Sequence, residues 1–150
     1  AARRCDAPDI RPAPAPAPTA PTDPAGRARL ARARRRAQAA QLGARVDVPR
    51  ACALIGPPGE ADADRLGPLL LAAMAEDGGR PARLHRPGAE AATGDELWLI
   101  ALLDRLAAGD GDSARFLVHR RVAPRGRRLA LFLAARLAEA ETADAARDAA

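Results

Sequence analysis

TGDELWLIALLDRLAAGDGDSARFLVHRRVAPRGRRLALFLAARLAEAE, residues 93–141, is the stretch that decides the fold. Thr93 with Glu96 three residues on forms a capping box, and Asp95 adds negative charge to the first turn. Leu99, Leu102, Leu103 and Leu106 then recur at helical spacing to about Ala108, where Gly109 stops the helix. Asp112 or Ser113 caps a second helix with Ala114, Leu117, Val118 and Val122 inward. Pro124 breaks that helix and suits the start of a third, whose stripe is Leu129, Phe132, Leu133, Leu137 and Ala140. Short connections make such neighbours antiparallel or steeply crossed, so 93–141 predicts a compact three-helix unit, and residues 51–150 are expected to fold without the N-terminal arm.

Upstream, residues 62–77 read as a further helix with Leu66, Leu69, Leu70, Ala73 and Met74 inward. Pro68 fits only within a first turn, and Gly78-Gly79 ends the element. The short apolar run Ala51–Ile55, and residues 82–86 around Arg83-Leu84-His85, could each be read as a short strand, although two strands make a poor sheet. The expected class is a small, mostly helical domain over 51–141, followed by an acidic, Ala-rich tail over 142–150.

The first fifty residues differ. They hold eleven Arg against four acids (+7), whereas 51–150 hold thirteen Arg against fifteen acids (−2). Residues 8–24, PDIRPAPAPAPTAPTDP, form neither helix nor ladder because Pro lacks the donor, so 1–25 is expected to be a disordered, polyproline-like spacer. PxxP docking is the rarer use of such a segment. Residues 26–44 are good helix formers, but Leu30, Ala33, Ala37, Ala40 and Ala44 make a stripe able to bury little. A marginal helix that frays until a partner orders it is expected there. The Ala-rich stripe also suits a membrane surface poorly.

Composition tempers the reading of charge. The chain has no Lys, Asn or Tyr, the pattern a GC-rich genome writes by default, so an all-Arg cation set need not reflect selection for nucleic acid. No apolar run reaches the about 20 residues of a membrane span, and no series of charged, apolar and small residues marks a secretory signal. Cys5 and Cys52 form neither a disulfide framework nor a metal knuckle, which makes a reducing cytoplasm the default compartment.

Motifs that carry chemistry are weak. Gly56-Pro57-Pro58-Gly59 lacks the consecutive N–H donors and the Lys of a phosphate loop, and reads as a turn. Asp110-Gly111-Asp112-Ser113 opens like a calcium loop, but Ala114 stands where an oxygen ligand is needed, so capping is the better reading. Glu60, Asp62 and Asp64 suit a helix start and need no metal. His85 and His119 belong to no catalytic set in sequence. No catalytic residue, cofactor or metal is therefore expected, and the chain reads as a non-enzyme.

Two functional readings remain. The first is a protein-interaction or regulatory module whose helical body docks a protein partner through the off-stripe residues Trp98, Phe116 and Leu131. The second is a nucleic-acid-binding accessory protein. It would contact phosphates through Arg27, Arg29, Arg32, Arg34, Arg35 and Arg36, and through Arg120, Arg121, Arg125, Arg127 and Arg128 around Pro124. The helix after that corner is too apolar for a base-reading helix. Finally, Glu139, Glu141, Asp144 and Asp148 could pair transiently with the basic arm and mask it, although a solvated helix end is the plainer reading.

Overall fold

The computed structural model describes residues 19–57, 60 and 62–150. Six helices follow one another: α1 (Pro24–Leu42), α2 (Val48–Ala53), α3 (Ala63–Glu76), α4 (Gly94–Ala107), α5 (Gly111–Arg121) and α6 (Arg127–Asp148). A single 3-10 turn, Pro124–Gly126, joins the last two. Helix α4 is central: α5, α6 and α1 all lie against it, and α3 packs on α6 and α1. Leu66, Leu70, Met74, Leu99, Leu102, Leu103, Val118, Leu133 and Leu137 form one continuous core.

Local chemistry sets the helix ends. The Thr93–Glu96 capping box is complete in both directions. Asp110, two residues before the expected Asp112 and three before Ser113, caps α5 by accepting the Ser113 N–H at 3.1 Å. Pro124 then opens the 3-10 turn, and α6 follows directly. That corner seats on the end of α3: a Cβ at Gly126 would lie 2.5 Å from the Asp77 carbonyl oxygen, so only glycine fits.

The disordered spacer expected over 1–25 falls mostly outside the described residues. Within them, Asp23 accepts the Gly26 N–H at 2.7 Å and caps α1, and Pro24 takes the first helical position. Helix α1 does not stand apart from the body. Leu30, Ala33 and Ala37 are buried, and so are Arg34 and Arg36.

Neither expected strand is present, and no strand occurs among the described residues. Residues 51–53 belong instead to α2, because Asp47 caps a helix there, with its side chain on the Arg50 N–H at 3.1 Å and Pro49 in the first turn. Residues 82–86 are irregular. Their backbone hydrogen bonds go to side chains: the Arg83 N–H donates to Asp95 and the His85 N–H to Glu96. Two carboxylates on α4 thus stand where a partner strand would be.

Two positional expectations also change. Pro68 lies in the second turn of α3, since the helix begins at Ala63. Phe132 points away from the core and is 47% exposed, because α6 buries the face carrying Ala130, Leu133, Ala134 and Leu137.

Candidate functional site

Two carboxylates in the first turn of α4 organise this end of the molecule. Glu96 is fully buried and accepts from Arg34 of α1 through two bonds, Nε to Oε1 at 2.8 Å and Nη2 to Oε2 at 3.0 Å. It also accepts the His85 and Thr93 N–H groups at 2.7 and 2.8 Å. Arg34 spends its other donors on the Ala89 and Ala91 carbonyls, both at 2.7 Å. Asp95 accepts from Arg121 Nε at 2.6 Å, Arg80 Nη1 at 3.0 Å and the Arg83 N–H at 2.8 Å. Burial alone would raise the Asp95 pKa, but hydrogen bonds from Arg121, Arg83 and Arg80 outweigh it and hold the carboxyl at about 2, below its ordinary 3.8. Glu96 is lowered in the same way: burial opposes, while Arg34 and the two backbone N–H groups prevail. Together the pair pins the irregular segment 80–93 to α1, α4 and α5.

A second charged cluster joins α1 to α6. Glu141 is buried between Arg29, whose Nε lies 3.2 Å away, and Arg36, with Arg32 at 3.8 Å. Arg36 also donates to Asp64 at 3.1 Å, and Arg29 pairs with Asp104. Gly67 makes this possible, since a Cβ there would lie 2.5 Å from Arg36 Cδ. Of the other tail acids, Glu139 sits 3.7 Å from Arg136 and Asp144 pairs with Arg147.

The remaining residues singled out from sequence lie as follows. Arg27 reaches the Thr22 carbonyl, and Arg35 is exposed on α1. Arg125 bonds the Glu76 carbonyl at 3.1 Å, and Arg127 the Val122 carbonyl at 3.0 Å, so both satisfy helix-end acceptors. Arg120 and Arg128 are exposed, Arg120 lying 5.8 Å from the Phe116 ring centre. Phe116 is 61% exposed. Trp98 is half-buried against the core, donates Nε1–H to the Leu117 carbonyl at 2.9 Å and lies under Arg121. Leu131 packs partly against the core. His85 and His119 are both exposed. No group of three His, Cys, Asp or Glu could hold a metal ion among the described residues. No helix there is long and apolar enough to cross a membrane. Cys52 is a free thiol whose pKa burial raises.

A groove not foreseen from sequence opens between α2 and α3. It encloses about 450 Å³. Leu66 and Leu69 floor it, Val46, Ala51, Leu54 and Ile55 form one wall, and Glu60, Asp62, Asp64 and Arg65 stand on the rim. Leu54 ends α2 and is 64% exposed. Arg136 of α6 fixes the wall by donating to the Gly56 carbonyl at 2.7 Å. A second depression, between α1 and α3, shares Val46 and Pro68 with it. Reading 51–55 as a strand concealed this groove, because alternation would have buried Leu54 beside a neighbour.

Compared with protein-family models, curated proteins and solved structures, the chain matches none.

Proposed function

We propose that this chain is a non-enzymatic interaction or regulatory module whose helical body docks a protein partner. The open groove beside α2, where Leu54 stands in solvent above an apolar floor, is the observation that carries the reading. The state of α1 supports it. Arg29, Arg34 and Arg36 spend their guanidiniums on carboxylates of the same chain, which leaves a weaker cationic surface than the sequence promised. The test is chemical cross-linking of the tagged chain in cell extract, with and without nuclease, over a range of salt. A protein adduct that survives nuclease and high salt is expected. Adducts that vanish with nuclease would replace this reading by the second.

The second reading, nucleic-acid contact, is favoured by the exposed Phe116–Arg120 stack. An aromatic face beside a cation is the pairing on which single strands stack. The exposed Arg128 follows Arg127, whose side chain reaches the His119 carbonyl, so Arg120 and Arg128 would make a small phosphate-contacting set. Changing Arg120 and Arg128 to Gln then lowers affinity for all sequences alike and flattens the salt slope. Unchanged slope counts against it.

A further inference from the structure

Resting on the nucleic-acid reading above, we infer that Arg80 and Arg83, together with Arg120, Arg121 and Phe116, form a binding site for a single strand of nucleic acid. Asp95 assembles the site. It accepts from Arg80 Nη1 at 3.0 Å, from Arg121 Nε at 2.6 Å and from the Arg83 N–H at 2.8 Å, so the segment after α3 and the end of α5 meet over one carboxylate. Arg121 ties them further by donating to the Pro81 carbonyl at 3.2 Å. Arg120 follows on α5 and lies over the Phe116 ring. Arg80, Arg83 and Arg120 are exposed, and the side chains of Arg83 and Arg120 have no carboxylate partner among the described residues. The other acids nearby are already matched. Glu96 holds Arg34, Asp112 pairs with Arg115 at 2.9 Å, and Asp77 lies 3.7 Å from Arg125. Glu90 shares its exposed segment with Arg86. Four arginines thus face one carboxylate, and the surface they make is positive. At about 0.1 M salt more distant charges are screened beyond about 10 Å, so this local excess decides what settles there.

Phe116 selects among anionic occupants. Its neighbours one turn away on α5 are Asp112, Ser113, His119 and Arg120, all polar, so the exposed ring is a lone π face and not part of an apolar patch. A protein interface draws on clustered apolar anchors, and a membrane surface needs an apolar stripe. A base needs only one ring face with a cation beside it, while the phosphates on either side meet guanidiniums. A duplex keeps its bases stacked inside and would use the arginines alone. Asp95 holds Arg80 and Arg121 in place before a ligand arrives, which lowers the cost of ordering them on binding.

The experiment uses the full chain with labelled oligothymidylate and oligouridylate of twelve nucleotides, a DNA duplex of the same length and a twelve-residue polyglutamate. Fluorescence anisotropy should show the single strands binding more tightly than polyglutamate. Arg83→Gln should weaken them and reduce the slope of log affinity against log salt by about 0.7, the share of one phosphate on a single strand. Phe116→Leu should weaken them about tenfold at every salt concentration, the loss of one stacked base, and leave the duplex unchanged. Both variants alter exposed side chains, and circular dichroism melts confirm that they fold. An unchanged slope in Arg83→Gln, indifference to Phe116→Leu, or polyglutamate binding as tightly as the oligonucleotides overturns the inference. If the slope flattens when Arg120 and Arg128 are changed to Gln but not in Arg83→Gln, nucleic-acid contact stands and only this site falls. If no single strand binds at low salt, both fall.

Discussion

Arg34 and Glu96, 62 positions apart in sequence, meet as a buried bidentate pair that fastens the basic helix α1 to the first turn of α4. Both lie out of water, and each holds further partners: the guanidinium two carbonyls, the carboxylate two N–H groups. Such a pair adds little over an apolar replacement of both partners, but removing one partner leaves the other charged, buried and exposed to the full desolvation cost.

Arg34→Met should therefore lower stability by about 3–5 kcal/mol, the usual cost of orphaning a buried charge. Adding Glu96→Gln should recover part of that loss. A double-mutant cycle by urea denaturation checks it, with a coupling of about 0.5–3 kcal/mol expected for residues in direct contact. Additive losses would mean the pair is not coupled in solution.

Acid should loosen the molecule through the same turn. The folded Asp95 pKa, at about 2, is depressed below 3.8, so its contribution is fully present above the unfolded value and fades as pH falls from there through about 2. Glu96 is depressed too and acts in the same direction. Thermal melts between pH 5 and pH 2 should show stability falling, and Asp95→Asn should flatten that slope without abolishing it. An unchanged slope in Asp95→Asn would place the acid sensitivity elsewhere.

Gly67→Ala should destabilise even though Ala favours a helix by about 1 kcal/mol over Gly. The added Cβ would collide with the Arg36 stem and push its guanidinium away from Glu141 and Asp64. Gly94 is the matched control: nothing lies within 4 Å of a Cβ there, and Gly94→Ala should be neutral or slightly stabilising. Chemical denaturation of the two variants separates close packing from backbone propensity.

Leu103→Ala should cost about 2–5 kcal/mol, the range for a Leu lost from a packed interior, since Leu103 is only 2% exposed. Leu54→Ala should stay within about 0.5 kcal/mol, as surface changes do. Comparable losses at both positions would contradict the burial pattern of α2 and α4.

The sequence and the structure agree where information is local. Thr93, Glu96 and the Leu99–Leu103 stripe mark α4 by capping and periodicity alone, and Pro124 marks the corner before α6. They part where the partner is remote. Nothing in an Ala stripe announces that α1 packs, because the drive comes from Glu96 and Glu141, far along the chain. Asp95 and Glu96 read as helix-start acids, and their second task, holding residues 83 and 85, has no sequence signal. ACALI is too short for periodicity to separate strand from helix, and the deciding residue, Asp47, lies outside the run. The α2–α3 groove was hidden with it. Phe132 misled because an aromatic at stripe spacing is normally interior.

The Ala-lined underside of α1 has a thermal consequence. Heat capacity changes on unfolding scale with apolar surface exposed, and detaching this helix uncovers Ala33, Ala37 and Leu30 together with the parts of Leu70 and Leu99 beneath them, a small area beside that of the leucine interior. Its grip, set mainly by ion pairs and hydrogen bonds, should vary less with temperature than the leucine contacts do. The leucine interior of α3, α4 and α6 weakens on cooling as apolar hydration becomes less costly. Toward low temperature the balance within one small molecule therefore shifts, and the basic helix becomes, relative to the interior, the more firmly held part.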